Sequence, residues 1–188
     1  MKNQVTGILL AGGKSSRMGT DKGVVLMNGK KLSEHVLQAM KPVVNDLMII
    51  ANNNNYGDYG IPVFEDIYKN CGPLGGIYTG LVRSKTKKNL MLSCDMPFIT
   101  SGMLAKILSH SDEAEIIIPV NDGKVEPLCA VYDQSCAVQI RQFLESGKLK
   151  IQDVLPYFKT KEVLLTTTEA GKNFININTP QELNEQNR

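Results

Sequence analysis

The chain opens on an uninterrupted apolar run, Val5–Leu10, that ends in Ala11-Gly12-Gly13. A short apolar run closed by glycines predicts a buried strand followed by a loop. The same pattern over 47–51, 62–64 and 89–93 predicts three further strands. Apolar positions at helical spacing predict a helix over 32–40 that stops before Pro42. A second helix is expected from 77 to 82, behind the turn Gly72-Pro73-Leu74-Gly75-Gly76. Helical spacing returns over 101–108, 135–144 and 151–155. Runs over 115–119 and 128–132 read as strands separated by Asn121-Asp122-Gly123, a turn signal. A late strand is expected over 163–165. The last helix has a readable start: Thr179 as N-cap, Pro180 at the first helical position and Glu182 completing a capping box.

Strands that alternate with helices, most of them apolar throughout, predict a mostly parallel sheet covered on both faces. The expectation is a single-domain α/β fold over residues 1–188, doubly wound like Rossmann-type nucleotide-binding sheets.

Charge and composition narrow the function classes. The 188 residues carry 21 Lys and Arg against 19 Asp and Glu, a formal net charge of +2. That balance is too even to predict nucleic acid or a membrane surface as a partner. An anionic ligand must instead be met by local placement of cations. Cys71, Cys94, Cys129 and Cys136 form no Cys-x-x-Cys pair, and only His35 and His110 could join them, which argues against structural zinc and against a disulfide scaffold. No run approaches the roughly 18 apolar residues of a membrane span, and no signal core is present at the N-terminus. A reduced, cytoplasmic protein is the expectation.

In open α/β sheets ligands bind beyond the carboxyl ends of the strands. The first strand is followed by Leu10-Ala11-Gly12-Gly13-Lys14-Ser15-Ser16-Arg17-Met18-Gly19-Thr20-Asp21-Lys22. Its glycines let backbone N–H groups approach phosphate oxygens, and Arg17 and Lys22 add two cations. Two familiar phosphate loops are excluded. A Walker A loop needs a glycine five residues before Gly13, where Ile8 stands, and Gly-x-Gly-x-x-Gly does not fit adjacent glycines.

This string resembles the signature loop of the molybdenum cofactor guanylyltransferases. The resemblance implies that the backbone of Leu10, Ala11 and Gly12, with Gly13 beside them, and the side chain of Lys22 contact GTP. Later segments match in order. Glu65-Asp66 offers an aspartate that the family uses to bind the nucleotide. Gly72-Pro73-Leu74-Gly75-Gly76 resembles a loop beside the base, with Gly75 and Gly76 against it. Cys94-Asp95-Met96-Pro97 resembles an element whose aspartate holds Mg2+. Asn176-Ile177-Asn178-Thr179-Pro180 resembles an element implicated in pterin binding through Asn176 and Asn178. The likeness runs over about 5–183, nearly the whole chain.

The function it implies is transfer of GMP from GTP to molybdopterin, with release of pyrophosphate. Catalysis would rest on Arg17, Lys22 and Asp95, with magnesium as cofactor and Asp95 as its ligand. Transient contact with maturation proteins of molybdoenzymes is the further partner expected.

The sequence also departs from the family pattern. Ile50 stands where some members carry an asparagine, although Asn52 is kept. A basic pair after Gly147 is split by Leu149, leaving Lys148 and Lys150 as charges for the pterin phosphate. The alternatives are a related cytidylyltransferase, a sugar-phosphate nucleotidyltransferase and a non-catalytic nucleotide-binding module.

Overall fold

A computed structural model describes residues 4–12 and 21–186. Gly13 and Arg17 lie outside the described residues. The elements in chain order are β1 (Val5–Leu10), β2 (Leu26–Met27), β3 (Lys30–Lys31), α1 (Leu32–Met40), β4 (Asp46–Ile50), β5 (Val63–Phe64), α2 (Gly72–Arg83), β6 (Lys88–Ser93), α3 (Ser101–Leu108), β7 (Ile116–Asn121), β8 (Lys124–Val125), β9 (Cys129–Asp133), α4 (Cys136–Glu145), α5 (Ile151–Val154), β10 (Thr160–Leu164), α6 (Thr167–Ala170) and α7 (Pro180–Gln186).

The main sheet has the order β10-β7-β9-β6-β1-β4-β5, with β8 added to β7. β1 pairs in parallel with both β4 and β6, and β4 with β5. β10 pairs in parallel with β7. β9 is antiparallel to β6 and to β7, so it is the reversed strand on this path. The chain thus starts in the middle of the sheet, winds outward through β4 and β5, then crosses back over β1 to build the other half. That crossing makes the carboxyl ends of β1 and β6 a topological switch point, the place where a crevice opens in such sheets.

Burial explains why the strands read as unbroken apolar runs. Every residue of β1 is buried. Leu9 and Ala11 face one way, against Val36, Met40 and Leu104 of α1 and α3. Ile8 and Leu10 face the other way, against Leu74, Ile77, Leu81 and Ile140 of α2 and α4. A period of two on a doubly covered sheet leaves no polar face to break the run.

The hairpin joining β7 and β8 turns through Asp122 (φ 48°) and Gly123 (φ 73°). Positive φ at both central positions is what a tight hairpin of the I′ kind demands, and Asp-Gly is a sequence suited to it. The expected turn is therefore present. It opens onto the two-residue strand β8 before the chain reaches β9.

The helix expected from 77 begins earlier, at Gly72. Gly72-Pro73-Leu74-Gly75-Gly76 is the first turn of α2 rather than a loop ahead of it. Pro73 sits in that first turn, where its fixed φ suits the helix and its missing N–H costs nothing. Glycine's poor helix propensity hid the start, and tertiary packing overrides it. The hairpin of β2 and β3 and the single turn of α6 are additions to the expected elements. α7 starts as read, with Glu182 N donating to Thr179 Oγ1 at 3.2 Å and Thr179 N donating to Glu182 Oε2 at 3.0 Å.

Candidate nucleotide site at the sheet switch point

Leu10, at the end of β1, and Cys94, just past β6, are tied together where the two strands diverge: Cys94 N donates to Leu10 O at 3.1 Å. A cavity of about 180 Å³ opens there, lined by Leu10, Ala11, Gly12, Asp21, Lys22, Ile50, Asp66, Pro73, Gly76, Ser93, Cys94, Asp95 and Leu128. Seven of the residues expected from sequence to meet a nucleotide thus share one wall: Leu10, Ala11, Gly12, Lys22, Asp66, Gly76 and Asp95. They come from four separate stretches of chain, brought together because parallel strands end at the same edge.

Asp95 follows β6 and stands at the centre of the polar end. Ser93 Oγ donates to its Oδ1 at 2.7 Å, and Lys22 Nζ lies 3.2 Å from its Oδ2. Lys22 Nζ also donates to Asn178 Oδ1 at 2.5 Å. The backbone joins the same group, with Ile177 N donating to Asp95 O at 2.9 Å. The segment expected to bind the pterin is thereby fastened to the residues expected to meet the phosphates and the metal. Asn178 is held from behind as well, its N–H donating to Glu182 Oε2 at 2.6 Å. Asn176 is half-buried one residue before Ile177.

Asp66 forms the other end. Its Oδ2 accepts from Asn52 Nδ2 at 2.7 Å, and its own N–H donates to Asn52 Oδ1 at 3.1 Å. Its Oδ1 is buried with no hydrogen-bond partner among the described residues. Burial pushes the carboxyl above the usual carboxylate range, an effect that the Asn52 hydrogen bond and the Lys69 charge only partly oppose. An acceptor in that state exerts a specific demand for a donor from whatever fills the cavity.

Two glycines shape the slot beside Asp66. A Cβ on Gly76 would lie 3.2 Å from Leu10 Cδ2 and 3.6 Å from Asp66 Oδ1, so a side chain there would crowd the cavity wall. A Cβ on Gly75 would lie 2.9 Å from the backbone oxygen of Tyr68. Gly75 therefore seats the helix against the loop that carries Asp66 and does not itself line the cavity. Thr79 strengthens that seat, donating to Gly75 O and accepting from Ile67 N, each at 2.9 Å.

Lys148 and Lys150 stand apart from the cavity lining. Lys148 Nζ donates to Tyr157 Oη at 3.0 Å and lies over the rings of Tyr157 and Phe143, at 4.3 and 5.5 Å from their centroids. Lys150 is exposed, at the residue preceding α5.

Several contributors escaped the sequence reading. Asn52 does not extend toward a ligand in place of Ile50; its amide is spent orienting Asp66. Ile50 offers an apolar surface to the cavity. Asp21 lies in the motif string beside Lys22 and could have been found as an N-cap signal, since it accepts from Gly23 N at 3.0 Å ahead of the short 3-10 turn Lys22–Val24. Glu126 carries no motif. Burial raises its carboxyl pKa, Lys124 opposes this, and the nearby charge of Asp95 raises it further. Cys94 is buried, and burial together with Asp95 and Asp21 pushes its thiol far up, so it has no nucleophilic character.

A divalent metal is testable against this donor set. Among the described residues no three of His, Cys, Asp and Glu gather into a cage. Asp95 keeps acceptor capacity beyond the Ser93 and Lys22 contacts and faces the cavity. One carboxylate at a phosphate-sized opening is the arrangement magnesium takes when substrate phosphates and water complete its octahedron. The residues fit a metal that arrives with a nucleotide.

Residues 7–160 match the model of the MobA-like NTP transferase domain. The chain is 37% identical to a Flavobacterium johnsoniae protein named probable molybdenum cofactor guanylyltransferase, over 97% of this chain and 96% of that one. It is 35% identical to the molybdenum cofactor guanylyltransferase of Yersinia pseudotuberculosis, over 96% and 93% of the two chains. Among solved structures it superposes on molybdopterin-guanine dinucleotide biosynthesis protein A from Archaeoglobus fulgidus with a TM-score of 0.83, at 25% identity over 97% of this chain and 96% of that one. The 2-C-methyl-D-erythritol 4-phosphate cytidylyltransferase of Thermus thermophilus shares the fold, with a TM-score of 0.72 at 15% identity over 96% of both chains. By the family model and by the identity held over nearly the full length of these relatives, the chain belongs to the MobA-like NTP transferase family.

Proposed function

We propose that this protein transfers GMP from GTP to molybdenum-bound molybdopterin, forming the guanine dinucleotide of the cofactor. In the reaction an oxygen of the pterin's terminal phosphate forms a bond to the α-phosphorus of GTP. The bond from that phosphorus to the bridging oxygen of the β-phosphate breaks, and pyrophosphate leaves. No covalent enzyme intermediate is required, so the residues act by positioning and by neutralising charge.

The single observation that carries the guanine reading is the buried Oδ1 of Asp66 at the wall of the cavity, without a hydrogen-bond partner among the described residues. Guanine presents a ring N–H and an exocyclic amino group side by side, so it offers donors to a carboxylate. Cytosine and adenine place an unprotonated ring nitrogen next to their amino group, which a carboxylate repels. Backbone groups at Leu10, Ala11 and Gly12 and the open surface of Gly76 leave room for the base edge beside Asp66.

At the other end Lys22 supplies a cation to the triphosphate, and Arg17 is the second cation expected there from sequence. Asp95 would hold magnesium, which when bound withdraws charge from the phosphates. Asn176 and Asn178 are assigned to the pterin. Asn178 already shares Lys22 with Asp95, which sets the acceptor substrate beside the α-phosphate. Lys148 and Lys150 are assigned to the pterin phosphate on sequence grounds.

The names borne by the Flavobacterium and Yersinia relatives support the same substrates. We place the enzyme in the cytoplasm, as a single domain in transient contact with molybdoenzyme maturation proteins. Among the described residues no helix is long and apolar enough to cross a membrane. The test is turnover of GTP with molybdopterin and magnesium, read as pyrophosphate release. A protein that binds GTP and releases no pyrophosphate would be a binding module and not a transferase.

A further inference from the structure

The four asparagines Asn52–Asn55 and the tyrosine after them reach both ends of the cavity. Asn52 holds Asp66 through two hydrogen bonds, one from its amide to Oδ2 and one from Asp66 N to its oxygen. The other contacts converge on Asp21. Asn53 Nδ2 donates to Asp21 Oδ2 at 2.8 Å and Asn55 Nδ2 donates to the same oxygen at 3.2 Å. Tyr56 Oη lies 2.8 Å from each carboxylate oxygen, and Gly23 N donates to Oδ1 at 3.0 Å.

A carboxylate has about four acceptor sites. Four donors therefore saturate Asp21, although it lines the cavity next to Lys22. Saturation excludes it as a ligand for a metal or a phosphate-borne donor and makes it an anchor. What it anchors is the 3-10 turn Lys22–Val24, whose first residue is the cation of the site. Tyr56 gives the anchor a rigid base, since it is wholly buried in the core.

We infer that the loop from Asn52 to Tyr56 positions the two ends of the nucleotide site separately: Asn52 fixes Asp66 for the base, and Asn53, Asn55 and Tyr56 fix Asp21 so that Lys22 is presented to the triphosphate. This rests on the nucleotide-binding part of the function proposed above and is independent of the transfer step. These are positioning residues, acting through the two aspartates. The polar run thus divides between two carboxylates: Asn52 serves Asp66, while Asn53, Asn55 and Tyr56 serve Asp21.

Asn52, Asn53, Asn54 and Asn55 are all exposed, so alanine at any of them leaves the core intact. The test measures equilibrium affinity for GTP, CTP and inorganic tripolyphosphate, each with magnesium. Asn52→Ala is expected to cut the preference for GTP over CTP by about tenfold, the scale of one hydrogen bond to a charged group, with tripolyphosphate affinity unchanged. The double variant Asn53→Ala with Asn55→Ala is expected to weaken tripolyphosphate by about tenfold and keep the GTP to CTP ratio. Tyr56→Phe, which keeps the ring in the core, should follow the double variant. Asn54→Ala, at the one asparagine that bonds neither aspartate, should match wild type. Loss of both readouts together in every variant would mean a merely structural loop and would overturn the division of labour, as would unchanged values throughout. Wild-type protein that binds all three probes yet releases no pyrophosphate from GTP and molybdopterin would sink the transferase reading and leave this inference standing.

Discussion

The ammonium of Lys22 lies 3.2 Å from Oδ2 of Asp95, and the two residues are 73 positions apart in the chain. The pair joins the loop after β1 to the end of β6, across the switch point of the sheet. About four-fifths of each side chain is buried, at 20% and 17% exposure, so the contact is shielded yet still open to an incoming phosphate. Without nucleotide each charge satisfies the other. In the function proposed, a bound nucleotide would give Lys22 phosphate oxygens to turn to and release Asp95 for a cation. The predictions for this end of the site follow from that exchange.

Asp95→Asn is nearly isosteric and keeps the acceptor for Ser93, so the fold should be retained. Turnover should fall by roughly a hundredfold or more, the scale of losing one charge contact in the transition state. Near-normal turnover at saturating magnesium, with an unchanged thermal melt, would remove Asp95 from the metal role.

Lys22→Ala should raise the KM for GTP and lower kcat together, because a cation at the triphosphate acts on ground and transition states alike. It also removes a donor from Asn178, so the KM for molybdopterin should rise in the same variant. A rise confined to the pterin KM would take Lys22 away from the triphosphate. Arg17→Ala carries the same expectation for GTP from sequence.

Asp66→Asn should separate stability from selectivity. Burial raises the folded pKa of Asp66 above its ordinary value. A carboxyl with a raised folded pKa opposes folding where it is ionised, and that penalty disappears as pH falls below the unfolded value. Removing the charge should therefore raise the melting temperature at pH 7 above that of wild type. The gain over wild type should vanish near pH 4 and below. Preference for GTP should collapse in the same protein. Equal melting temperatures for the variant and wild type at pH 7 would show that the buried oxygen has a partner in solution.

Gly75→Ala should cost about 1–3 kcal/mol, because a Cβ 2.9 Å from the Tyr68 carbonyl has to displace backbone. Gly76→Ala should be cheaper in stability, since it meets the movable Leu10 side chain, and dearer in GTP affinity. Denaturant melts and GTP titrations of both variants check this ordering.

The strands were legible because both faces of the sheet are covered, so each appeared as an apolar run of the right length. The last helix was legible because its cap is local: Thr179, Pro180 and Glu182 state it within four positions. The start of α2 was hidden because Gly75 and Gly76 are explained by contacts with Tyr68 and Leu10, which only the tertiary fold supplies. At the site, the separate sequence motifs drew attention to Lys22, Asp66 and Asp95 without giving their partners. That Asn178 would share Lys22 with Asp95, and that Asn52 would serve Asp66, depends on strand order, which no local pattern encodes. Lys148 shows a further limit: the family pattern suggested a phosphate contact, and the two aromatic rings beneath that ammonium are supplied by the tertiary fold alone.

In the proposed reaction this site reads guanine through Asp66 and passes GMP to a pterin phosphate. Its most direct measurement is pyrophosphate release from purified protein given molybdopterin, magnesium and, side by side, GTP, CTP or ATP. The predicted result is turnover with GTP at least a hundredfold above either competitor, since a site built for donors leaves a buried charge unpaired when the wrong base enters. A preference for CTP, or comparable rates with all three, would contradict it.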